Sequence, residues 1–259
     1  MSTIVLAHGV LGFGDQLPGL LKFLPAIHYF NGVADHLRSQ GHIVLEPQVD
    51  PIGSVKERGD QLAQKILQQT AAGDKVHILA HSMGGLDARH AITNRTDLVS
   101  RVATLVTIGT PHRGSPVADA VAKKAGPLLE KIPRFIREKL ENNAPALNDL
   151  TTKVCIAFDE ATLDAPSVRY INVAGDASKG GNELLLFELA ADIGDITQQT
   201  NDGVVTKESA LRKNNKHLDD WPVDHAGEIG WSTALVMPSR RKQAIADHLA
   251  RYDAIVGLL

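Results

Sequence analysis

The sequence has a single cysteine, Cys155, so no disulfide can close within the chain and the strongest argument for an oxidising compartment is missing. It has no excess of either charge. The 27 Lys and Arg against 30 Asp and Glu give a net charge of −3 with the basic residues scattered, which excludes the electrostatic footprint of a nucleic-acid binder. No apolar run approaches the roughly 20 residues that a membrane-spanning helix needs. Met1-Ser2-Thr3 leads straight into β-branched sequence with no basic segment before it, so the expectation is a soluble, cytoplasmic chain without a signal peptide. Cys155 sits in an apolar run, residues 154–158, with no histidine close in sequence, and reads as a packed thiol rather than a nucleophile.

What is present is 259 residues with 43% hydrophobic content, enough to bury a sizeable core. A length like this fits one α/β domain over residues 1–259 with an inserted cap better than two domains. The most informative stretch is KVHILAHSMGGLDAR, residues 75–89. Val76, Ile78, Leu79 and Ala80 form a short run for a central strand, Gly84-Gly85 permit a tight reversal, and residues 86–92 read as a helix. Ser82 stands at the turn. A strand, a small-x-Ser-x-Gly turn and a helix make a nucleophile elbow, which holds a serine oxygen above a sheet beside a helix N-terminus. The crowded turn needs small residues two before and two after the serine, here Ala80 and Gly84, with Ala80 standing where glycine is usual. The same residues would also serve a plain strand–turn–helix in which Ser82 only caps the helix, so the partners matter.

Taken in order, residues 3–7 are a strand that stops at His8-Gly9, and Val10-Leu11-Gly12-Phe13-Gly14 is too glycine-rich for a helix. A serine nucleophile needs two backbone N–H donors for the developing oxyanion, one from the residue after it and one from a loop after an early strand. Met83 and Val10 fit those two roles. Residues 17–30 mix prolines with large apolar side chains and suit a cleft wall or a buried loop. Residues 33–40 read as a helix, 42–47 as a strand, 59–70 as an amphipathic helix with Leu62, Ile66 and Leu67 on one face, and 102–108 as a strand. This alternation predicts a doubly wound, mostly parallel sheet whose ligand crevice lies beyond the carboxyl ends of the strands. His112, in the loop 109–115, would lie near that crevice, although such a histidine more often bonds within its own loop.

Residues 116–150 interrupt the alternation. Leu128, Leu129, Ile132, Phe135, Ile136 and Leu140 recur at helical spacing, broken by Pro127 and Pro133. One-sided helices inserted between sheet strands suit a lid over an apolar cleft, or a packed surface pair. Residues 168–173 resume the sheet.

Ser82 needs a base, and the base needs a carboxylate to fix its tautomer. Beyond residue 150 the histidines are His217, in a polar run, and His225, in a loop before a final helix; His225 is the better base. For the acid, Asp202 in Asn201-Asp202-Gly203 and Asp176 at the end of a strand are rivals on spacing alone.

AHGVLGFGD (7–15), GDQLAQKI (59–66), AHSMGGLDAR (80–89), TIGTPHRGS (107–115) and NDGVV (201–205) together resemble the bacterial triacylglycerol lipases of the Pseudomonas, Burkholderia and Proteus type. The likeness is dense from residue 4 to about 120, thin through the cap, and returns at Asp202 and His225. The resemblance implies an α/β-hydrolase fold whose sheet starts at the oxyanion-loop strand, with a helical lid. It implies a Ser82–His225–Asp202 triad, with the Val10 and Met83 amides as the oxyanion hole. The substrate would be a small-molecule or lipid ester, with transient contact at a lipid interface through the lid. In those lipases a calcium ion braces the histidine loop through an aspartate two residues after the histidine. That position is Gly227 here, with Glu228 one further, and nothing in the sequence gathers Asp176, Glu183, Asp192 and Asp195 around one point. No metal, no cofactor and no foldase partner is therefore expected. The same triad would serve an acyltransferase or thioesterase, and a non-catalytic binding module would be marked by a broken triad.

Overall fold

The computed structural model describes residues 1–10, 29–132, 134–141, 144–180, 186–231 and 237–259. Among the described residues six strands form one sheet: β1 (Thr3–Ala7), β2 (Ile43–Leu45), β3 (Val76–His81), β4 (Val102–Ile108), β5 (Arg169–Val173) and β6 (Lys216–His217), in the order β2-β1-β3-β4-β5-β6 with every neighbouring pair parallel. Parallel strands need crossovers, and helices α1 (Val33–Ser39), α2 (Val55–Gln69) and α3 (Met83–Asn94) supply them.

Strand alternation sorts the core into two layers. Ile4 and Leu6 of β1, Leu79 of β3, Val106 and Ile108 of β4 and Ile171 and Val173 of β5 face one side, where Val33 and Leu37 of α1 cover them. Tyr252 and Ile255, from the last helix, complete that layer. Val5, Ala7, Val76, Ile78, Ala80 and Leu105 face the other side, under Leu62 and Ile66 of α2 and Ala88 and Ile92 of α3. Fully burying each such leucine or isoleucine contributes about 1.5–3 kcal/mol. Both faces are covered, which is why these strands read as nearly continuous apolar runs.

The helix expected over 59–70 begins four residues earlier, at Val55. Ser54 caps it: its hydroxyl accepts from Glu57 N–H and the Glu57 carboxylate accepts from Ser54 N–H, a capping box. The strand expected over 42–47 is confined to Ile43–Leu45, the outermost strand of the sheet. Beyond α3 come α4 (Thr96–Val99), β4, and then helices α5 (Pro116–Lys123), α6 (Pro127–Lys131), α7 (Arg134–Glu141), α8 (Ala144–Asp149) and α9 (Thr152–Ala161), all between β4 and β5. Pro127 stands in the first turn of α6, where its missing N–H costs nothing. Leu128, Ile132, Leu140, Leu147 and Leu150 join Val117, Val121, Met83 and Leu86 in a third apolar cluster above the carboxyl end of β3. Pro133, the side chains of Phe135 and Ile136, residues 11–28 and Glu183 lie outside the described residues. After β5 the chain runs through α10 (Phe187–Thr197), α11 (Lys207–Ala210), β6 and α12 (Pro238–Val256).

Cys155 is fully buried on α9, its thiol donating to Asp149 O at 3.0 Å, and burial first, then nearby Asp149, pushes it up to about 12. At that value the thiolate is absent at neutral pH and the side chain packs rather than reacts.

Candidate active site

Ser82 joins the end of β3 to the start of α3 with φ 55° and ψ −132°, a backbone conformation an L-residue holds only when its surroundings enforce it. Those surroundings are specific. Ser82 N–H donates to Ile108 O at 2.9 Å, and Thr110 Oγ1 donates to Ser82 O at 2.9 Å. A Cβ on Gly84 would stand 2.6 Å from Ala7 O and 2.7 Å from His8 O, so only glycine lets α3 approach the end of β1. The strain therefore lifts the serine side chain off the sheet and is sustained by contacts on both flanks.

His225 is carried by the loop after β6. Its Nε2 is 2.9 Å from Ser82 Oγ and its Nδ1 is 2.8 Å from Asp202 Oδ2. The backbone repeats the pairing, with His225 N–H donating to Asp202 O at 2.8 Å. Asp202 is buried, and its Oδ1 accepts from Val204 N–H and Val205 N–H at 2.8 and 2.7 Å, so the turn locks the carboxylate while leaving Oδ2 for the imidazole. Burial raises the Asp202 pKa, with the attraction of His225 opposing it. For His225, burial acts downward, but the Asp202 and then the Glu228 carboxylates outweigh it and raise the pKa.

The other candidates fall elsewhere. Asp176 accepts from Ser178 and pairs with Lys179 at 2.8 Å, capping a short 3₁₀ turn. His217 is exposed on β6 and bonded to Arg212 O at 2.9 Å. His112 is buried, with Nε2 3.1 Å from Thr107 Oγ1 and Nδ1 3.3 Å from Arg89, and burial holds it neutral. Of the carboxylates upstream of the histidine loop, Asp192 pairs with Lys131 at 3.5 Å. Among the described residues, the acidic and histidine side chains close enough to share an ion are His81, His225 and Glu228, already hydrogen-bonded to one another.

Ser82 and His225 open into a cavity of about 250 Å³, walled largely by apolar side chains that include Val10, Leu140, Leu150, Leu186, Val204 and Trp231. Val10 is partly exposed there, next to the serine. Met83, the first residue of α3, has no intrahelical acceptor for its N–H.

Three supporting groups were not assigned from sequence. Arg58, fully buried on α2, donates through Nε to Asp87 Oδ2 at 2.8 Å, through Nη2 to His8 O at 2.8 Å and through Nη1 to Asp50 O at 2.6 Å, tying α2, α3 and the end of β1 together. Asp224 accepts from Gly227 N–H at 2.7 Å and Leu186 N–H at 2.8 Å and so pins the His225 loop. Glu228 lies beside both His225 and His81. The capping box before Arg58 was the available signal for a helix carrying it; nothing local in the sequence marks the other two.

Comparison with known proteins bears on the fold and on the proteins this chain resembles. Residues 58–163 match the model of the PGAP1-like alpha/beta domain. A triacylglycerol lipase of Vibrio cholerae is 29% identical over 87% of this chain and 78% of its own length. Triacylglycerol lipase 2 of Saccharomyces cerevisiae is 35% identical over 56% of this chain, which spans only 45% of the yeast protein. The crystal structure of Staphylococcus hyicus lipase, at 16% identity, superposes with a TM-score of 0.73 over 99% of this chain and 95% of that one, a likeness of fold. The chain has the fold of these lipases and is similar in sequence to the bacterial triacylglycerol lipases.

Proposed function

We propose that this chain hydrolyses carboxylic esters of fatty acids through a covalent acyl-enzyme. The observation that carries the reading is the unbroken line from Asp202 Oδ2 to His225 Nδ1 (2.8 Å) and from His225 Nε2 to Ser82 Oγ (2.9 Å), ending in an apolar cleft. Ser82 Oγ attacks the ester carbonyl carbon while His225 Nε2 takes the hydroxyl proton, and Asp202 keeps Nδ1 protonated and stabilises the imidazolium. The carbonyl oxygen, now an oxyanion, takes hydrogen bonds from the Val10 and Met83 amides. The C–O bond to the alcohol then breaks as His225 returns the proton to the leaving oxygen. Water, deprotonated by His225, attacks the acyl carbon, and Ser82 leaves with its proton restored.

The apolar wall favours long acyl chains over small polar ones. Helices α5 and α7 supply Val117, Ala118 and Leu140 to that wall, which supports the role of this helical insertion as the lid through which the enzyme meets a lipid surface. With one buried thiol and no disulfide to form, folding is taken to need no dedicated foldase. The test is hydrolysis of p-nitrophenyl esters from acetate to palmitate beside Ser82→Ala. Turnover that extends to long chains and vanishes in the variant supports the reading; equal rates in both proteins refute it.

A further inference from the structure

The turn that carries His225 begins with a buried carboxylate. Asp224 is 0% exposed, and its two oxygens serve different segments: Oδ1 accepts from Gly227 N–H at 2.7 Å and Oδ2 accepts from Leu186 N–H at 2.8 Å. The first bond closes the histidine loop on itself, together with Glu228 N–H donating to Asp224 O at 3.0 Å and Trp231 N–H donating to Ala226 O at 2.9 Å. The second reaches 38 residues back to the residue that precedes α10, where a helix N-terminus favours an anion. Leu186 lines the catalytic cavity and packs on the acid turn, its Cβ 2.7 Å from where a Cβ on Gly203, held at φ +90°, would stand. One side chain therefore ties the loop of the base to a cavity wall that abuts the turn of the acid.

The family resemblance implies a different brace for this loop, a calcium ion held through an aspartate at position 227. The residues present do not fit that ion. Position 227 is glycine, and a Cβ there would stand 2.9 Å from Val223 Cβ and 3.0 Å from Asp224 Oδ1, so the place where a ligand side chain would start is filled by the Asp224 carboxylate. Upstream, Asp176 is committed to Ser178 and Lys179, and Asp192 to Lys131. Among the described residues, no group of three acidic or histidine side chains close enough to share an ion includes Asp224.

We propose that Asp224 is a positioning residue for His225, bracing the histidine loop through two backbone N–H bonds in place of a metal ion, so that the catalytic geometry of this chain is independent of divalent cations. Its effect on turnover rests on the Ser82–His225–Asp202 reading. The chemistry requires a carboxylate. Both oxygens receive donors, so both must be acceptors; an asparagine amide offers one, and turns an N–H group against the N–H of Gly227 or Leu186. Bonds from N–H to a carboxylate are also stronger than those to a neutral acceptor, and burial without them would be costly. What the brace protects is a narrow geometry, with His225 Nε2 2.9 Å from Ser82 Oγ and Nδ1 2.8 Å from Asp202 Oδ2. A misplacement of about 1 Å at such a group costs about a hundredfold in rate.

The experiment has a metal arm and a variant arm. The native protein is treated with EDTA and then with excess calcium, and its unfolding midpoint and kcat are expected to stay the same throughout. In Asp224→Asn, kcat per active site, counted by an organophosphate, falls about tenfold or more while KM for the same ester stays within about twofold. The low-field proton NMR signal of His225 Nδ1–H, shared with Asp202, weakens in the variant at a temperature well below unfolding. A loss of stability alone would leave that signal and the kcat per site in place. Amide exchange is read residue by residue: Gly227 and Leu186 are protected in the native protein, and at least one of them exchanges faster in the variant. Activity or an unfolding midpoint that falls with EDTA and returns with calcium overturns the proposal, as does an Asp224→Asn enzyme with native kcat and native exchange. If the variant does not fold, the calcium response and the protection of the two amides in the native protein decide, and unprotected amides overturn the proposal. If the native protein cleaves no ester, or Ser82→Ala cleaves as fast, the hydrolase reading fails; the exchange and calcium measurements still decide whether Asp224 braces the loop.

Discussion

Replacing Arg58 by methionine, which is similar in length and uncharged, isolates the buried pair beneath the entrance to the site. Arg58 and Asp87 are both buried, and Arg58 provides the only hydrogen bonds to Asp87's carboxylate among the described residues, Asp87 Oδ1 having none. The variant strands a carboxylate and frees the acceptors His8 O and Asp50 O. Breaking a buried pair from one side costs about 3–5 kcal/mol. The pH dependence carries a sign. Burial already raises the Asp87 pKa to about 6 against the attraction of Arg58, and with Arg58 gone it rises further. The unfolded chain holds Asp87 near its ordinary value, so the variant's native state takes up a proton that the unfolded state does not, and the penalty shrinks as pH falls. Each pH unit through that interval is worth about 1.4 kcal/mol. Urea denaturation at pH 8 and pH 5.5 is therefore predicted to give a loss of about 3–5 kcal/mol at the higher pH and at least about 1 kcal/mol less at the lower. A loss under about 1 kcal/mol at pH 8, or one independent of pH, refutes the reasoning. The same variant is predicted to lower kcat, because the His8 carbonyl that Arg58 holds immediately precedes Gly9 and Val10.

Asp202→Asn is predicted to lower kcat by about a hundredfold or more, while Asp176→Asn, which loses only the Ser178 and Lys179 contacts, leaves it within about twofold. Steady-state kinetics on one ester decides, and the opposite ranking would transfer the acid role to Asp176. Leu150→Trp fills part of the cavity of about 250 Å³, so the ratio of long-chain to short-chain ester turnover is predicted to fall. An unchanged ratio would place the acyl chain elsewhere.

The parts of the fold legible in the sequence are those where one physical signal dominates. The strands over residues 3–7 and 102–108 were read with their observed bounds because both faces of each are covered, which leaves β-branched and apolar residues in unbroken runs. The elbow was legible because its strained turn dictates small neighbours at fixed offsets from Ser82. The start of α2 was missed although Ser54 and Glu57 announce a capping box, because the amphipathic stripe was counted from Gly59 and Arg58 reads as a surface residue by type. Asp202, in a turn, and Asp176, at the end of a strand, are rivals on spacing alone; what separates them is the partner each carboxylate finds, Val204, Val205 and His225 for one and Ser178 and Lys179 for the other. Glu228 was legible only as a displaced calcium ligand. Its position depends on Gly109 and Gly175, 119 and 53 residues away in the chain, leaving room for a buried carboxylate.

The central claim is that Ser82 is the nucleophile and that His225 activates it. The direct measurement is intact-protein and peptide mass spectrometry after brief exposure to diethyl p-nitrophenyl phosphate, on the native enzyme and on His225→Ala. The account predicts one diethylphosphoryl adduct, on the peptide containing Ser82, formed far more slowly without His225. An adduct on another residue, or labelling of Ser82 at the same rate in both proteins, would contradict it.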